Sequence, residues 1–183
     1  METESQEPPG RRPDVMSGPC MVDVEDATRR MDPAQVAWIA DRARTAAGVL
    51  GCGGEVRVRV VGDGAMSAAH ERHLGDATTT DVMTFDMADG AATATGVLDA
   101  DVLVCLDEAE RQGARRGHGA HLEVLLYVVH AMLHCLGHDD RDETTAGAMH
   151  AREDEVLRAI GVGTVYGVSP AEPRTSPGGE GRA

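Results

Sequence analysis

The chain has 183 residues, of which 42% are apolar but only 2% aromatic, and a formal charge of −14. That length suits one domain with its own core of Val, Leu, Ala and Met, and no stretch reaches the roughly 18 uninterrupted apolar residues of a membrane span. The charge argues against an unspecific nucleic-acid binder: residues 1–18 carry −2 and residues 165–183 carry 0, so the part between keeps −12.

Residues 1–18 are rich in Pro, Gly, Glu and Arg without an apolar period and read as a disordered arm. Residues 19–162 read as the single folded domain, and 163–183 as a disordered tail. Met21 to Glu25 alternates as a first strand. Asp32-Pro33 gives an N-cap followed by proline, and a helix runs through Val36, Ile39, Ala43 and Ala47 to Gly48 or Gly51. Glu55 to Val60 is the clearest strand; its valines alternate with charge, so one face is buried and Arg57 and Arg59 share the other. Those two arginines are either an ordinary solvated face or part of an RNA-facing patch. Asp63 is placed to cap a short helix carrying Met66, Ala69 and His70 up to Gly75.

Asp81 to Met87 reads as a further strand, and residues 88–98, rich in Ala, Gly and Thr, as a mobile loop. Asp101 to Leu106 is nearly all apolar, as a central strand would be. A helix begins at Asp107 and breaks around Arg115 to Gly119; Arg115 and Arg116 are the best-defined positive spot, as a solvated loop or a phosphate contact. A helix over roughly 120–136 and a last one from Asp142 to Ile160 follow, the latter with Arg152, Glu153, Asp154 and Glu155 expected outside. The strand–helix–strand passage 55–87 permits a parallel pair with a helical crossover. Three or four strands among four or five helices make an α+β domain. Cys20, Cys52, Cys105 and Cys135 form no CxxC pair; with no signal peptide in view they read as reduced, buried thiols of a cytoplasmic protein.

The chemistry concentrates in Tyr127 to Asp140. An apolar helix carries His130 and His134 one turn apart, so both imidazoles can reach one common atom. Two buried imidazoles in an aliphatic helix both need partners, which disfavours a purely structural reading. Gly137 is placed to end the helix in a left-handed conformation, and Asp140 arrives ten residues after the first histidine. That is the spacing of the longer zincin-type motif, in which the glycine lets a third ligand swing in. His138 competes with Asp140 for that third position. Two His and one Asp leave a fourth position open, the pattern of a catalytic zinc. A zinc protease carries Glu directly after the first His; here that place is Ala131.

This run resembles the metal motif of the YbeY family, single-strand-specific endoribonucleases linked to ribosomal RNA maturation. The family pattern His-Gly-x-Leu-His-Leu-x-Gly-Tyr-Asp-His is met at His130, Leu133, His134, Gly137 and Asp139. It is departed from at Ala131, Cys135, His138 and Asp140. Three more blocks follow family order: Thr80-Asp81-Val82-Met83-Thr84-Phe85, Ala100-Asp101-Val102-Leu103-Val104, and Met149 with Glu153-Asp154-Glu155 and Leu157. Together they span roughly residues 20 to 160. An arginine that the family often places six residues before the Thr of the second block, and that is credited with a catalytic role, is Leu74 here; Arg72 is the nearest substitute.

The resemblance implies a mixed, mostly parallel sheet of about four strands with about five helices and a zincin-like metal helix. It implies one Zn²⁺ on His130, His134 and Asp140; Arg72, as substitute for the family arginine, is then the candidate to stabilise the phosphate, and Arg115 and Arg116, by their charge, the candidates to contact substrate. The implied substrate is single-stranded RNA, ribosomal RNA above all, and the implied partner the ribosome or a ribosomal protein, with no DNA and no membrane. The rival expectation is a ribosome assembly factor with a mainly structural metal site, which suits the acidic charge; a zinc protease is the third, and Ala131 speaks against it.

Overall fold

The computed structural model describes residues 18–166; the arm expected over 1–17 and the tail beyond 166 lie outside the described residues. Four strands, β1 (Cys20–Asp26), β2 (Gly53–Val61), β3 (Val82–Asp86) and β4 (Val97–Cys105), form one sheet in the order β1-β2-β4-β3. β1, β2 and β4 are parallel, and β3 runs antiparallel to β4. Six helices accompany them: α1 (Pro33–Leu50), α2 (Asp63–Leu74), α3 (Ala92–Thr95), α4 (Leu106–Arg116), α5 (Ala120–Cys135) and α6 (Glu143–Ala159). The mixed, mostly parallel α+β sheet is as expected, with one helix more.

Alternation along the strands sorts the core. Val22, Val56, Val58, Val60, Ala100, Val102 and Val104 face one side and are buried with residues of α1 and α5. α5 is apolar nearly all round and packs against the sheet, α1, α4 and α6, which makes it the central helix of the domain. On the opposite sheet face α2 covers one end, where Val61, Met66, Met83 and Cys105 form a small second cluster. The rest of that face is an open hollow of about 530 Å³. There Arg57 pairs with Glu55, Asp99 and Asp101, and Arg59 with Glu25. Both arginines are thus spent on cross-strand pairs.

Several local expectations change. The passage 55–87 does not give adjacent parallel strands: β4 lies between β2 and β3. β4 buries side chains on alternate positions along nine residues and suits the interior, whereas β3, five residues with half-exposed Thr84 and Asp86, suits an edge. β4 starts at Val97, and the stretch expected to be a loop holds α3, whose Ala92 is buried. Asp63 does not cap α2. Gly62 occupies the cap position without a side-chain bond, and both Asp63 oxygens accept from Arg111. Arg115 and Arg116 lie in the last turn of α4, not in a loop. Glu153 and Asp154 are buried, not outside. Asp154 Oδ1 accepts backbone N–H bonds from Val165 at 2.8 Å and Tyr166 at 3.2 Å, and both residues pack on the core. The packed chain therefore continues past the boundary expected at residue 162.

The Asp32 cap forms as the sequence suggested, with Pro33 opening α1 and a full capping box to Gln35. One glycine is obligatory. Gly54 holds φ +99°, and a Cβ there would lie 2.0 Å from the Leu98 carbonyl oxygen, where β2 pairs with β4. Gly54→Ala is expected to lower stability by more than about 2 kcal/mol, read as a drop in urea midpoint.

Candidate metal centre

α5 ends in a Schellman motif. The N–H of His138 bonds to the Leu133 carbonyl at 3.0 Å and that of Gly137 to the His134 carbonyl at 2.9 Å. Gly137 supplies the left-handed residue, φ +89°, and its Cα side abuts Thr93 of α3, whose side-chain atoms would be 3.2 Å from an added Cβ. The segment read as a mobile loop thus packs against the turn that carries the third ligand candidate.

This turn brings His130, His134 and Asp140 together, one donor atom of each lying within 4.8 Å of the others. The carboxylate of Asp140 stands 3.6 Å from each Nε2, and the two Nε2 atoms are 2.9 Å apart. His138 contributes otherwise: its carbonyl accepts from His134 Nδ1 at 3.0 Å, while its side chain is not part of the cluster. A carbonyl only accepts, so His134 carries its proton on Nδ1 and turns the Nε2 lone pair inward. His130 Nδ1 donates in the same way to Glu153 Oε1 at 2.6 Å. Two lone pairs facing each other at 2.9 Å repel unless a cation or a proton sits between them. The donor set therefore fits a divalent cation, with N and O ligands and room for a further one.

Glu153 is fully buried on α6 and was not singled out in the sequence, where it stands among charged neighbours. A signal was present: Met149, Glu153 and Leu157 are four apart, so Glu153 shares the apolar face. Burial works to lower the pKa of His130, but the hydrogen bond and charge of Glu153, and the charges of Asp140 and Asp81, outweigh it and hold the pKa above the usual histidine value. Cys135, the neighbour of His134, is 4% exposed; burial first, then Asp86, pushes its thiol up to about 11, so it is neutral and ill suited to bind metal at neutral pH.

A cavity of about 830 Å³ opens beside the cluster. The second sequence block, Thr80 to Asp86, lines it together with His70, His73, Leu74, His130, His134, Cys135 and Arg141. Arg72 is exposed on α2 and does not line it, and neither does Arg115 or Arg116. Arg116 is engaged elsewhere: it meets both oxygens of the fully buried Glu123 at 2.7 and 2.9 Å, and its guanidinium lies 4.9 Å from the centre of the Tyr166 ring. His118 approaches the same carboxylate at 3.1 Å. A second group, Asp63, Cys105 and Asp107, also has donor atoms close together, but Arg111 takes Asp63 and Arg30 takes Asp107.

With this geometry in hand, comparison with known proteins decides the family. The family model described as Endoribonuclease YbeY matches residues 22–161. The chain belongs to the YbeY family. It is 36% identical over 112 residues to an Endoribonuclease YbeY of Methylibium petroleiphilum, covering 61% of this chain and 72% of that protein. It is 32% identical over 124 residues to one of Chlorobium phaeovibrioides, covering 68% and 72%. A Thermotoga maritima protein of known solution structure shares the fold, with TM-score 0.54 and 16% identity over 84% of this chain and 100% of that one. YbeY relatives are named endoribonucleases, which are hydrolases acting on RNA. Among the described residues no helix is long and apolar enough to cross a membrane.

Two outcomes are expected. Glu153→Leu should weaken binding of a divalent cation by roughly 10- to 100-fold in a competitive chelator titration, because the acceptor that fixes the His130 tautomer is gone. Arg116→Ala should lower unfolding free energy by about 3–5 kcal/mol in urea, because it leaves the fully buried Glu123 without its guanidinium.

Proposed function

We propose that this chain is a metal-dependent endoribonuclease that cuts single-stranded RNA, holding one Zn²⁺ on His130, His134 and Asp140. The observation that carries the reading is the convergence of two inward Nε2 lone pairs and one carboxylate beside an open cavity. Family membership supplies the substrate class, and we extend it to ribosomal RNA, with the ribosome or a ribosomal protein as partner and the cytoplasm as the place of action.

When bound, the ion would supply Lewis acidity, polarising a phosphoryl oxygen and lowering the pKa of water toward neutrality. The chain's own residues do the rest. Glu153 and the His138 carbonyl fix the two imidazoles, so neither must reorient as substrate arrives. Ala131 is fully buried and offers no proton acceptor beside His130, which separates this site from a protease. The carboxylates of Asp81 and Asp86 are held by their own segment. Asp81 Oδ1 accepts from Thr80 and Val82, and Asp86 accepts from the backbone N–H groups of Ala88 and Gly90. They shape the wall of the cavity. Arg115, exposed at the end of α4, is our candidate for a phosphate contact outside the cavity, and Arg116 serves chiefly as counter-charge to Glu123.

A second reading, an assembly factor whose metal site is mainly structural, is favoured by the open sheet face. There Asp23, Glu25, Glu55, Asp99 and Asp101 outnumber Arg57 and Arg59. Purified protein separates the two. The nuclease reading expects cleavage of a single-stranded oligoribonucleotide that is lost on chelation and in His134→Ala. Tight ribosome association without cleavage would favour the factor. Asp140→His, which replaces a charged ligand with a neutral one, is expected to move the acidic limb of the pH–rate profile to lower pH; an unmoved limb would remove Asp140 from the ligand set.

A further inference from the structure

The wall of the cavity is acidic where the chemistry needs positive charge. Its wall carries two carboxylates, Asp81 and Asp86, and the adjoining cluster a third, Asp140. Counting imidazoles as uncharged, these three exceed a divalent ion by one negative charge. A phosphodiester would then enter a site of its own sign, and its charge grows further as the phosphorus is attacked. Leu74 lines this cavity with its side chain 69% exposed, an unusual place for a large apolar group, so the α2 wall gives no positive charge at that point.

Arg141 lines the same cavity and is the one arginine among its described lining residues. It follows Asp140 directly, so the backbone that places the ligand candidate also places the guanidinium. Its side chain is 87% exposed and is engaged only through Nε, 3.4 Å from Asp139 Oδ1, which leaves the two terminal nitrogens of the fork unpaired in the described structure. Arg30, Arg57, Arg111 and Arg116, by contrast, direct their terminal nitrogens at carboxylates. Arg141 is the arginine that the described lining sets against this excess of negative charge.

We propose that Arg141 is the phosphate-binding residue of this site, gripping a non-bridging oxygen pair of single-stranded RNA through its two terminal nitrogens and stabilising the charge that develops there. The proposal rests on the nuclease reading for its substrate class. It assigns the role to the ligand-bearing turn and not to α2.

The test uses the full chain loaded with zinc and a 2′-O-methyl oligoribonucleotide as uncleaved probe, alongside a cleavable strand of the same sequence. Arg141→Ala is expected to weaken probe binding about tenfold and to flatten the slope of log affinity against log salt by about 0.7, the loss of one phosphate contact on a single strand. Cleavage should fall further than binding. Arg141→Lys should keep the salt slope but recover cleavage only in part, since a point charge replaces the fork. Leu74→Arg added to Arg141→Ala should restore binding from the α2 wall of the same cavity. Zinc stoichiometry measured on each variant separates these effects from damage to the Asp140 turn. Binding and salt slope unchanged in Arg141→Ala, with zinc retained, would overturn the proposal while leaving cleavage by the parent intact. Arg141-dependent binding with no cleavage by the parent would overturn only the nuclease reading, and absence of probe binding by the parent would overturn both.

Discussion

Helix α5 is apolar on nearly every side, and the carboxylate and the imidazole that it carries inward are each matched by a neighbour. Glu123 is matched by Arg116 and His118 from α4 and the turn after it, and His130 by Glu153 from α6. A buried carboxylate without its guanidinium, or a half-buried imidazole without its acceptor, is destabilising. The packing of α4 and α6 on α5 is therefore tied to the polar pairs, and the pairs fix which nitrogen of His130 faces the cluster. Stability and chemistry share the same contacts here: the hydrogen bond that satisfies a core histidine also presents its lone pair.

The end of α5 shows the same economy in the backbone. Gly137, the left-handed C′ residue of the Schellman motif, reverses the chain, pins the N–H of His138 to Leu133 and lets the His138 carbonyl reach back to His134. Asp140 then falls opposite the two imidazoles without a long excursion. α3 packs against this turn through Thr93, which ties the stretch before β4 to the geometry of the centre. The cluster is built on a helix and a tightly bonded turn, so its donors are positioned before any ion arrives.

Charge is the other constraint. An acidic domain that acts on RNA cannot rely on long-range attraction over its whole surface. On the open sheet face the arginines of β2 are absorbed by carboxylates of β1, β2 and β4, and the face remains acidic. Attraction for a phosphodiester is then left to the neighbourhood of the cluster, where the residues able to hold a cation and Arg141 border a single cavity. Such confinement favours a short stretch of single strand that can dip into the cavity over a duplex that would lie across the acidic surface.

The sequence by itself determined the local features whose cause lies within a few residues. Alternating valines set β2, Asp32-Pro33 set the start of α1, and the spacing of His130, His134, Gly137 and Asp140 set the cluster, since a helical turn and a left-handed glycine follow from nearest neighbours. Only the tertiary structure decided what depends on distant partners. It inserted β4 between β2 and β3, because nine residues with one face buried along their length can pair on both edges, whereas the short, half-exposed β3 suits an edge. It turned Glu153 inward toward a histidine 23 residues away, and it drew Arg116 onto Glu123. It left Arg72 outside the cavity and put Arg141 on its wall. A charged residue reads alike in sequence whether it meets water or a buried counter-charge; the difference is made by which elements pack against it, and that is a property of the whole fold.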